Sequence, residues 1–116
     1  MDPDPDWSMS EQALFVVQRI SAAILAPMVL VHLGLILVAV EGGLSAEEIL
    51  SRTRDNAGWA MFYGLFVVSA AVHAPIGVRN ILREWTRLGW KTIDGLAMVT
   101  CILLLVLGMS AVIAVF

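Results

Sequence analysis

Three long stretches of this chain contain no Asp, Glu, Lys or Arg: Ile20 to Val40, Asn56 to Val78, and Gly95 to Phe116. Each is about as long as the ~20 residues that a helix needs to cross a ~30 Å hydrocarbon core. The seven basic and ten acidic residues are confined to the segment before the first stretch and to the two segments between the stretches. Of the 116 residues, 59% are hydrophobic, and the mean hydropathy is +0.87. A soluble domain is closer to half apolar. A single water-soluble core of this size could not hide so much apolar side chain, so lipid serves as the solvent.

The pattern predicts an all-α membrane protein with three transmembrane helices, in one anchor domain over 1–116. The spans fall at about 12–40, 57–79 and 93–116. The first helix is expected to start near Glu11, capped by Ser8 or Ser10, with Trp7 at headgroup level. The acidic, proline-rich lead-in Met1 to Asp6 lacks the positive start of a cleaved signal, so no cleavage is expected. In the first connection, Ser45 with Glu48 three residues on makes a capping-box pattern, which predicts a short amphipathic helix along the membrane surface. The second connection, Asn80 to Lys91, carries Arg83, Arg87 and Lys91, with Arg79 at its edge. By the positive-inside rule it faces the cytoplasm, which puts the N-terminus inside and the C-terminus outside an inner membrane. The only cysteine, Cys101, lies in the third apolar run and has no internal partner.

Polar residues inside a span are costly and read as functional by default. The uncharged runs hold two histidines, His32 and His73, and no carboxylate, which argues against proton-coupled transport. Ser69, Ala70 and Gly77 share the face of His73 and leave room for a flat macrocycle. Pro75 removes one backbone bond nearby. Arg79 lies about 9 Å further towards the cytoplasm, where a guanidinium suits a haem propionate. Ordinary close packing around a hydrogen-bonded histidine fits the same residues equally well. His32 and His73 differ in depth by roughly 10 Å, so they are not expected to ligate one iron. A bis-histidine haem would then need a histidine from another subunit or another copy. Gln18, Arg19 and Ser21 cluster near the inner end of the first span and could hold quinone carbonyls or a propionate. A snorkelling anchor arginine is the alternative for Arg19.

These residues resemble a known family. His73-x3-Gly77-x-Arg79-Asn80-x3-Glu84 looks like the His-x3-Gly-x-Arg-His-x3-Asp motif of succinate dehydrogenase and fumarate reductase cytochrome b anchor subunits. Gln18-Arg19-Ile20-Ser21-Ala22 is similar to the His-Arg-x-Ser-Gly stretch opening that family's first helix. The resemblance implies haem b at His73 and ubiquinone or menaquinone near Arg19, with Ser21 and Gln18 in the pocket. It also implies a second three-helix anchor subunit and iron–sulfur and flavoprotein partners, with no nucleic acid. His32 corresponds to a distal-haem histidine of two-haem members, so one or two haems are expected. The chain departs from the pattern at Phe15, Gln18, Asn80 and Glu84. It has no nucleotide fingerprint and no cysteine set for iron–sulfur clusters, so it would serve as an electron-transfer subunit without a succinate site of its own. A haem-free structural anchor and an unrelated three-span protein are the other readings.

Overall fold

The computed structural model describes residues 5–116, and their side chains from residue 11 onward. Four helices follow in order: α1 (Pro5–Glu41), α2 (Ala46–Thr53), α3 (Ala57–Trp85) and α4 (Trp90–Val115). Three of them are long and apolar enough to cross a membrane: Glu11–Glu41, Ala57–Trp85 and Trp90–Val115. The all-helical architecture expected from the charge-free runs is thus the one observed.

The helices outrun those runs. α1 begins at Pro5, so Ser8 and Ser10 lie within it and neither caps it. The lead-in before Pro5, and the side chain of Trp7, lie outside the described residues. α3 continues to Trp85 and α4 starts at Trp90, so the second connection shrinks to residues 86–89. Arg83 is on α3 and Lys91 on α4, and only Arg87 is in the connection. The reason is physical. Charge stops at the edge of the hydrocarbon, but helical hydrogen bonding continues through the headgroups and into water. At 1.5 Å per residue, the 29 residues of α3 span about 43 Å. That exceeds a ~30 Å hydrocarbon core. The longest dimension of the chain is 59 Å, set by α1.

The turns at the α2 end are built from local signals. α1 ends in a Schellman motif: Leu44 N–H donates to the Ala39 carbonyl and Gly43 N–H to the Val40 carbonyl. Gly43 takes the positive φ, +61°, that this cap requires. Ser45 then caps α2, accepting from Glu48 N–H at 3.1 Å and donating to the Glu48 carboxylate at 3.2 Å. Asn56 caps α3 by accepting from Trp59 N–H at 3.2 Å. The α2–α3 turn also closes over the end of α4. There the Thr53 hydroxyl donates to the Val115 carbonyl at 2.8 Å, and Asp55 N–H donates to the Phe116 carbonyl at 3.0 Å.

α3 is the central element, packing on both α1 and α4. Its approach to α4 depends on Gly108. A Cβ there would stand 2.5 Å from Val67 Cγ1 and 2.9 Å from Cγ2. A β-branched side chain has little rotamer freedom in a helix, so Val67 cannot step aside. Gly108→Ala should therefore push α4 off α3 and destabilise the fold by about 1–3 kcal/mol. Gly64→Ala on α3, which meets nothing within 4 Å, should leave stability unchanged or slightly raised. Equal denaturation midpoints for the two variants in detergent would refute this account of the helix pair.

Candidate functional site

The two histidines occupy different levels and different surroundings. His73 on α3 stands opposite the start of the first apolar run on α1. Its Nδ1 lies 3.2 Å from Ser21 Oγ and 3.3 Å from the Gln18 carbonyl. The Ser21 hydroxyl itself donates to that carbonyl at 2.9 Å. A carbonyl only accepts, so the contact with Gln18 requires the proton on Nδ1. The lone pair is then left on Nε2. This is how imidazoles that ligate metals are commonly held, with the non-ligating nitrogen donating to a carbonyl or carboxylate.

Beside His73 is an open cleft of about 460 Å³, lined by Phe15, Gln18, Arg19, Ala22, Ala23 and His73. The arrangement follows from α1. Positions 15, 18, 19, 22 and 23 recur at helical spacing along one side. Two alanines keep the wall low, and Arg19 supplies the positive charge. Its guanidinium lies 5.5 Å from the centre of the exposed Phe15 ring. Among the described residues, Arg19 makes no ion pair. The structure thus brings together His73, Gln18, Arg19 and Ser21. Phe15, where the resemblance marked a departure, forms part of the same wall.

Gly77 and Asn80 face Gln18. The Asn80 amide donates to Gln18 Oε1 at 3.1 Å, and a Cβ on Gly77 would lie 3.6 Å from Gln18 Nε2. Gly77 therefore stands next to a protein amide.

Arg79 is engaged elsewhere. It is buried, and it donates to Glu11 of α1 through Nη2 at 2.6 Å and Nη1 at 3.2 Å. Its Nε donates to Asp94 of α4 at 3.0 Å. Arg83 reaches Glu11 at 3.2 Å, and both guanidinium groups lie 5.0 Å from the Trp90 ring centre. The sequence reading placed Arg79 at a propionate and did not foresee Glu11 and Asp94 as its partners. The signal was present. Glu11 precedes the first apolar run, Arg79 follows the second and Asp94 precedes the third, so an up-down-up topology brings all three to one end.

His32 lies 11 positions after Ser21, so it is about 16 Å further along α1. Its ring meets Tyr63 edge-on, with centroids 5.9 Å apart, and Phe66 at 5.4 Å. Its Nδ1 is buried and makes no hydrogen bond. The two imidazoles are thus too far apart to ligate one iron, and His32 lacks the Nδ1 acceptor that His73 has. Among the described residues, no three His, Cys, Asp or Glu side chains gather as a metal site.

The model of one protein family, described as the succinate dehydrogenase/fumarate reductase transmembrane subunit, matches residues 7–115. The chain belongs to this family. No curated protein and no solved structure matches it. Membership makes this transmembrane subunit part of a succinate dehydrogenase or fumarate reductase complex, embedded in the membrane. Within the matched residues, the segments around Gln18 to Ser21 and His73 to Asn80 meet at the α1–α3 contact.

Proposed function

We propose that this subunit binds one haem b through His73 Nε2 and presents a quinone to the cleft at Arg19. It would thereby pass electrons between an iron–sulfur partner and the quinone pool. The observation that carries the reading is the hydrogen bonding at His73 Nδ1, which turns the other ring nitrogen into an open ligand. The residues present fit such a group on one side: a basic imidazole, low alanine walls and a cation for a propionate. When bound, the haem supplies a one-electron centre whose potential depends on its ligands and their hydrogen bonds.

The chain's own residues hold and orient. Arg19 offers a cation to a propionate or a quinone carbonyl, a task that Arg79 leaves to it by pairing with Glu11 and Asp94. The Gln18 carbonyl and Ser21 keep the proton on Nδ1. A second histidine for the haem would have to come from a further anchor subunit, because His32 stands at another depth. The basic end, with Arg83, Arg87 and Lys91, faces the cytoplasm and the iron–sulfur and flavoprotein subunits. In this reading His32 packs on Tyr63 and Phe66 as a structural residue.

A pyridine haemochrome assay on the purified complex tests the reading, with one b-type haem per complex expected and a colourless complex excluding it. Arg19→Leu should lower quinone turnover about tenfold to a hundredfold, the worth of one hydrogen bond to a charged group. Unchanged turnover with quinone at limiting concentration would remove Arg19 from the site.

A further inference from the structure

The hydrogen bond that orients His73 is long, at 3.3 Å, and it crosses between two helices. Bonds of this kind weaken steeply as donor and acceptor separate. Its survival depends on how closely α1 is held to α3 at this level. Two turns along α3 from His73, on the same face, Asn80 Nδ2 donates to Gln18 Oε1 at 3.1 Å. Between them stands Gly77, where a Cβ would lie 3.6 Å from Gln18 Nε2, so the amide runs alongside α3 at this point. Gln18 therefore meets α3 twice, its carbonyl at His73 and its side chain at Asn80. The other described side-chain bonds between α1 and α3, apart from Ser21 with His73, are those of Glu11, nearer the inner end.

We propose that Asn80 and Gln18 form a positioning pair that clamps α1 to α3 and so fixes the strength of the hydrogen bond at His73 Nδ1. This rests on the reading of His73 as the haem ligand. A firm Nδ1–H···O bond makes the imidazole more basic, and a more basic ligand favours ferric over ferrous iron. Releasing the clamp weakens that bond and raises the midpoint potential. Neither amide touches iron; both act through the carbonyl of residue 18.

The test uses the intact complex and a potentiometric titration, with haem content measured in parallel. Asn80→Ala and Gln18→Ala both leave the Gln18 backbone carbonyl in place. Each should raise the midpoint, by about a tenfold change in ferric preference, which is about 59 mV for one electron. The double variant should shift no further than the larger single shift, because one clamp is lost in all three. The low-spin ferric electron paramagnetic resonance signal should move in step. If Asn80→Ala does not assemble, Asn80→Gln should shift the midpoint, and Gln18→Asn with Asn80→Gln, which keeps the pair's combined reach, should restore it. Full haem content with an unmoved midpoint, or additive shifts, overturns the clamp and leaves the proposed function standing. A wild-type complex without haem overturns both, and is recognised before any variant is made.

Discussion

Replacing His73 with leucine should abolish the b-type absorption of the complex, while His32→Leu should leave it whole. Leucine keeps apolar bulk in the span but offers iron no lone pair. At His73 the Nδ1 proton is committed to Gln18 and Ser21, so only Nε2 is open to a metal. The other residues lining the cleft are poor replacements: Phe15, Ala22 and Ala23 carry no ligand atom, Arg19 offers only N–H donors, and Gln18 Oε1 already accepts from Asn80. His32 has no acceptor for Nδ1 and lies against Tyr63 and Phe66. Reduced-minus-oxidised spectra of the two purified variants check both halves. Retention of the full band in His73→Leu would end the haem assignment. Loss of half the band in His32→Leu would establish a second, distal haem.

How much of this was legible in the sequence differs between the backbone and the site. The absence of charge from Ile20 to Val40, Asn56 to Val78 and Gly95 to Phe116 was enough to locate α1, α3 and α4, because lipid tolerates little else. The cap at Ser45 was equally readable, since it is a contact within three residues. The helix ends were not, because charge marks the edge of hydrocarbon and not the end of hydrogen bonding. At the site, spacing along one helix gives a face but not the helix it meets. The pairing of Gln18 with Asn80 depends on how α1 and α3 are rotated about their axes. That rotation is set by packing between the two helices, which spacing along one of them does not report. The fold brings Gln18, Arg19, Ser21 and His73 together, as the motif resemblance implied, whereas the propionate read for Arg79 from its spacing meets a guanidinium already paired with Glu11 and Asp94.

That last difference yields the second large effect. Arg79→Leu should lower the stability of the three-helix unit by about 2–3 kcal/mol. Removing one partner from a fully buried ion pair costs about 3–5 kcal/mol, because the other charge is stranded. Here the guanidinium side chain is 10% exposed, but Glu11 is 28% and Asp94 54% exposed, so the stranded carboxylates recover some solvation. The loss falls on all three spans, since Glu11 is on α1, Arg79 on α3 and Asp94 on α4. Arg79→Lys should be intermediate: a single ammonium cannot reproduce the fork that binds Glu11 through two nitrogens and Asp94 through a third. Unfolding in mixed micelles measures the loss, and the cofactor content separates the two roles open to this arginine. A cross-helix tie destabilises haem-loaded and haem-depleted protein alike. A propionate ligand would instead weaken haem retention and leave the haem-depleted protein as stable as wild type, an outcome that would return Arg79 to the cofactor and leave Glu11 and Asp94 without a structural task.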